Sequence, residues 1–153
     1  MNLQRLEDSI KREEGYRDTI YKDSLGFKTL GYGHLVKPDE TFVVGKRYNR
    51  KVIERIFQYD FSIAQSDCKK LTKGMDLPDE AMEVVCELAY QLGINRLKKF
   101  VKFFGFLKQK KYVDAGFELE NSLLYRQCPK RTGRHAESCL LYTSDAADDL
   151  LCV

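Results

Sequence analysis

Residues 14–34 read EGYRDTIYKDSLGFKTLGYGH, and the way this stretch must fold decides the rest. Glu14 closes a run in which Leu3, Leu6 and Ile10 recur at helical spacing among charged neighbours, so an amphipathic helix precedes it. Gly15 ends that helix, because glycine accepts the left-handed conformation that helix ends often need. Thr19-Ile20-Tyr21 is β-branched and aromatic and reads as a strand. Phe27 to Leu30 reads as its antiparallel partner, with Ser24-Leu25-Gly26 as the turn. Glu14 thus stands at a helix-to-strand junction and Asp23 at a strand end. Fully extended, the segment between them would span about 30 Å, so only the hairpin brings both acids to one gap.

Two carboxylates on separate elements around one gap are the arrangement that hydrolysis of a sugar chain requires. A retaining pair stands about 5 Å apart and an inverting pair about 6.5–9.5 Å, a difference the fold must set. Thr29, on the returning strand, is placed to hold a water beside Asp23. Taken singly, an acid is usually a solvated surface charge and Gly-Tyr-Gly a tight turn, so the weight rests on the whole spacing pattern. Gly31-x-Gly33 follows a strand but has no third glycine and no helix start behind it, which argues against a dinucleotide loop.

The pattern E-G-x-R, Y-x-D and G-x-x-T-x-G-x-G-H is carried here by Glu14 to Arg17, Tyr21 to Asp23 and Gly26 to His34. It resembles the active-site segment of the phage-type lysozymes, glycoside hydrolase family 24. That resemblance implies an α+β lysozyme-like fold: a small antiparallel β-sheet lobe and a helical lobe, joined by a long helix, with the active-site cleft between them. It implies Glu14 as general acid, Asp23 as the group that positions and activates the attacking water, and Thr29 as its helper. Leu35 becomes a substrate contact. The implied reaction is inverting cleavage of the β-1,4 bond between N-acetylmuramic acid and N-acetylglucosamine, with no cofactor and no metal.

Further along, Asn49 reads as an N-cap, and Val52, Ile53, Ile56, Phe57, Ala64 and Leu71 lay an apolar stripe. This looks like the family's connecting helix, on which Asp60 takes the position that pairs with His34. The next helix has Pro78 in its first turn and stops at Gly93. Within it, Tyr90-Gln91-Leu92-Gly93 resembles a segment whose aromatic and glutamine line the saccharide cleft, although Tyr90 is equally well read as core. Leu97 to Lys111 alternates apolar and basic residues, and Val113 to Leu124 is another amphipathic run. Tyr125 to Arg131 resembles the family's Y-x-Q-T-P-x-R, which makes Arg131 the arginine that contacts the catalytic acid. Cys128 stands there in place of threonine, and Leu124 where tryptophan is common.

From Cys139 the chain reads CLLYTSDAADDLLCV, with no Lys or Arg after a body dense in both. Residues 139–148 match a translated transposon-end sequencing adapter. The expectation is a lysozyme-like domain over residues 1–138, truncated at its C-terminus, and a foreign tail over 139–153. The whole chain of 153 residues carries 26 basic and 23 acidic side chains. Without Asp145, Asp148 and Asp149 the body holds 26 against 20, a formal net of +6. That balance suits an anionic polymer such as cell wall. It would also suit nucleic acid, but no RNA-recognition or helix-turn-helix signature accompanies it, and Lys108, Lys110 and Lys111 read as a solvated helix face.

The length fits one compact unit that buries about two thirds of its unfolded surface and needs no staples. Cys68, Cys86 and Cys128 lack metal or redox spacing and are expected as reduced thiols, and two distant histidines do not suggest a metal. No apolar run is long enough for a membrane span, and the N-terminus does not read as a signal peptide. Peptidoglycan is the expected partner of a monomer in the host cytoplasm, with a holin giving access to the wall. A binding protein that has lost turnover is the alternative, and a basic nucleic-acid binder a weaker one.

Overall fold

The structure, a computed structural model, describes residues 1–139. Of the segment read as foreign, residues 140–153 lie outside the described residues. Its first residue, Cys139, is helical and buried.

Helix α1, Leu3–Glu14, is capped by Asn2, whose side chain accepts from the Arg5 N–H. Its amphipathic face buries Leu6 and Ile10, and the chain leaves through Gly15 at φ 73°. A three-stranded antiparallel sheet follows in the order β1 (Arg17–Lys22), β2 (Lys28–Gly31) and β3 (His34–Leu35). The two-residue β3 had no separate signal in the sequence. Thr29 lies on the central strand, opposite Tyr21 on one side and Leu35 on the other.

The long helix α2, Arg50–Leu71, has 22 residues and so runs about 33 Å. Asn49 caps it by accepting from the Val52 N–H. Its stripe buries Ile53, Phe57, Phe61 and Ala64, and Phe57 packs against both Tyr32 and Tyr90. Helix α2 therefore carries one apolar face from the sheet region into the helical core. The remaining elements are α3 (Asp79–Leu92), α4 (Ile94–Leu97), α5 (Val101–Lys108), α6 (Tyr112–Glu120) and α7 (Leu123–Gln127). Residues 129–139 are helical as well and are labelled α8. Leu6 and Ile10, Val84, Val85 and Leu88, Phe103, Leu107, Leu119 and Ala136 share one core with the α2 stripe. The result is a helix-rich α+β lysozyme-like fold with a small antiparallel sheet, as the resemblance implies.

Three boundaries differ from the sequence expectation. Pro78 is the N-cap of α3 rather than a residue inside its first turn. The run from Leu97 to Lys111 is split, since α4 ends at Leu97 and α5 begins at Val101. Lys108 ends α5, while Lys110, at φ 59°, and Lys111 lie in the turn before α6, so these lysines are exposed but do not form a helix face. An alternation of apolar and basic residues fits a helix and a tight turn equally well.

Candidate active site

Glu14 is the last residue of α1, so its backbone is fixed by the helix while its side chain reaches past it. Arg131, in the first turn of α8, donates from Nη1 to Glu14 Oε1 at 2.6 Å. Both side chains are mostly buried, at 16% and 11% exposure. A charge-assisted contact of that kind sets the orientation of a carboxylate as well as its energy. Gly33 closes the other side: at φ 75°, it packs so near that a Cβ there would collide with Glu14 Oε2. Arg131 Nε and Nη2 are buried and bond to no described residue.

Asp23 is held by its own turn. Its Oδ1 accepts from the N–H groups of Leu25 and Phe27, at 2.9 and 2.8 Å, and its N–H donates to the Phe27 carbonyl. One carboxylate oxygen is thereby committed and the group cannot swing. Thr29 donates its hydroxyl to the Phe27 carbonyl at 3.0 Å, so the capacity left on Oγ1 is that of an acceptor. Tyr21, opposite Thr29, senses both acids. Burial raises its pKa, and the charges of Glu14 and Asp23 push it the same way. Leu35 lies half exposed beside Thr29.

His34 stands between two carboxylates, with Nδ1 2.7 Å from Asp60 on α2 and Nε2 2.9 Å from Glu40. Burial opposes a charge on the ring, yet the hydrogen bonds and charges of Asp60 and Glu40 outweigh it and raise the pKa. Tyr90 donates its hydroxyl to the Tyr32 carbonyl at 2.6 Å, and its ring packs on Phe57. It thus joins the helical core to the glycine-rich segment. Burial is the chief reason that its pKa is raised. Gln91 reaches Cys128, with Nε2 3.8 Å from the sulfur, and its Oε1 is buried without a partner among described residues.

Two features had escaped the sequence reading. Glu40 sits in a loop with nothing to mark it. Glu87, within the apolar face of α3, accepts from Ser9 of α1 and lies 2.7 Å from His135 Nε2 on α8. Glu87 and His135 are almost fully buried, Ser9 is partly so, and His135 lies one helical turn from Arg131. A charged residue in the run Val84 to Ala89 was a signal, since a buried carboxylate must find a partner. Arg134 also meets Glu13, so α1 and α8 are tied by charge at two points. No cluster able to hold a metal ion occurs among the described residues.

Helix end, hairpin and arginine-bearing helix converge on Glu14, and this layout on a small sheet with a helical core defines a glycoside hydrolase of the lysozyme class. The family described as phage lysozyme matches residues 11–122, most of the chain, and the chain belongs to that family. Two proteins of Dictyostelium discoideum, probable T4-type lysozyme 2 and probable T4-type lysozyme 1, are each 26% identical to it over 152 residues. Each alignment takes in 84% of this chain and 89% of the relative. The protein is thus a lysozyme, a hydrolase.

Proposed function

We propose that this lysozyme cleaves the β-1,4 bond between N-acetylmuramic acid and N-acetylglucosamine of bacterial peptidoglycan with inversion at the anomeric carbon. Glu14 protonates the leaving oxygen. Asp23 accepts a proton from the attacking water through its uncommitted oxygen, and Thr29 Oγ1 receives a hydrogen bond from the same water. Arg131 and Gly33 keep the Glu14 carboxyl in place, while Tyr90, Gln91 and Leu35 flank the glycan. The observation that carries this reading is the immobilisation of both acids: Glu14 by Arg131 and Gly33, and Asp23 by two backbone N–H groups. Fixed groups that need no rearrangement when charge develops are what catalysis by positioning requires.

For the physiological setting we propose that of the phage-type lysozymes, which the motif from Glu14 to His34 supports. The enzyme acts as a monomeric endolysin in the host cytoplasm and lyses the cell once a holin opens the way to the wall. No helix among the described residues is long and apolar enough to cross a membrane. Purified peptidoglycan provides the test. Turbidity should fall with release of muramic acid reducing ends, and new N-acetylglucosamine reducing ends in their place would refute the bond assignment.

A further inference from the structure

The connection between α4 and α5 lies in the longest stretch of the chain without an acidic residue, between Glu87 and Asp114. Elsewhere some cations meet carboxylates, as Arg5 does Glu83, Lys11 Glu54, Arg47 Asp18 and Arg134 Glu13. Others, such as Lys69, Lys70 and Lys73, make no ion pair among the described residues but have Asp67 and Asp76 close by in sequence. Between Asn95 and Val113 there is no Asp or Glu at all. Arg96, Lys98, Lys99 and Lys102 are all exposed there, and none makes an ion pair among the described residues. Lys102 lies in the first turn of α5, which has no acidic residue to match the positive end of the helix dipole. A cluster of exposed cations with no acid near it in sequence suits an anionic partner.

The same place is also apolar. Lys99, Phe100, Val101, Lys102 and Phe103 line a hollow of about 430 Å³, together with Glu118 of α6 and Ser122 just after it. Val101 is 73% exposed at the start of α5, whereas Phe103 and Leu107 are buried and hold the helix to the core. A cationic rim around an exposed aliphatic residue and an aromatic floor matches a ligand that is anionic at one end and apolar at the other. A phosphate polymer would use only the rim. Glu118 repels an anion from the inner wall and so favours phosphate at the lysines, with the apolar part against Phe100 and Val101.

We propose that the α4–α5 face is a peripheral docking site for anionic phospholipid, through which the enzyme rests on a membrane surface. Electrostatic attraction of a few lysines plus a small apolar contact gives reversible adsorption without insertion of a helix. The face lies on the helical side of the molecule, apart from Glu14, Asp23 and Thr29. Docking therefore does not require the catalytic residues.

The test is sedimentation of the full chain with vesicles of phosphatidylcholine, with and without phosphatidylglycerol. The enzyme should bind the anionic vesicles and ignore the neutral ones. Lys99→Glu with Lys102→Glu should weaken partition by more than about tenfold, and added salt should act the same way. Val101→Ser should weaken it severalfold at unchanged charge. Unchanged thermal melts and peptidoglycan turnover would show that the variants are folded. Lipid partition is read without substrate, so an inactive enzyme would still give an answer. Equal binding to neutral vesicles, or indifference to the lysine reversals, would overturn the proposal. So would indifference to Val101→Ser together with equal binding to a soluble polyphosphate, because the face would then be a general polyanion surface.

Discussion

At the scale of single residues, the chemistry turns on how little Glu14 can move. The end of α1 fixes its backbone, Arg131 takes one oxygen, and Gly33 lies against the other. Glu14→Gln keeps the shape but has no proton to give. We expect turnover to fall by about 10²–10⁴-fold with an unchanged far-ultraviolet spectrum, since that is the usual worth of a positioned acid. Substantial turnover by this variant would remove Glu14 from its role. Gly33→Ala tests the packing. An alanine at φ 75° costs about 1–2 kcal/mol from backbone strain alone, and its Cβ must also displace the Glu14 carboxylate. Activity should therefore drop well beyond what the lowered melting temperature explains. A variant with wild-type turnover and a lowered melting temperature would mean that Gly33 serves the turn and not the acid.

At the scale of elements, two buried polar networks join the pieces. His34 ties β3 to α2 through Asp60 and to the following loop through Glu40. The raised pKa of His34 means that its contribution to stability is full below its ordinary value of 6.5 and fades as pH rises through the folded value. Glu40 works the other way. Its lowered pKa gives a contribution present above 4.5 and lost as pH falls through the folded value. Both act together between those two values. Asp60→Asn should thus lower the melting temperature most near about pH 5.5 and much less at about pH 9. An equal loss at both would mean that the histidine charge contributes nothing. The second network holds α1, α3 and α8 together. Burial opposes the charge on Glu87, but hydrogen bonds from His135 and Ser9 outweigh it and lower its pKa. His135→Ala leaves a buried carboxylate without its main partner and should cost about 3–5 kcal/mol in denaturant unfolding. A loss under about 1 kcal/mol would mean that the carboxylate is relieved by water.

The legibility of these elements in the sequence followed the range of the forces involved. Asn49 and Gly15 act on their own helix ends, and the alternation around Thr19 to Leu30 is local, so caps and hairpin could be read directly. The two-residue β3 and the break after Leu97 depend on what packs beside them. Glu40 and the Ser9–Glu87–His135 set join residues far apart in the chain, and such pairings leave no periodic trace.

For the whole molecule, α2 is the member that makes sheet and helical core one body. Phe57, two turns from its start, touches Tyr32 beside the sheet and Tyr90 in α3, and the Tyr90 hydroxyl returns to the Tyr32 carbonyl. The thiols of Cys68 and Cys86 lie in that core, where burial pushes their pKa up to about 11 and about 12, so they pack and do not react. On the proposed mechanism, the assembled body offers a glycan one acid and one water from opposite faces of the sugar ring. The anomeric configuration of the first product reports this most directly, read by NMR within the first turnovers on a wall-derived oligosaccharide. A single displacement by water held at Asp23 and Thr29 yields the α-anomer from the β-linked substrate. The β-anomer as first product would demand a covalent intermediate and a closer carboxylate pair, and would contradict the roles given to Glu14 and Asp23.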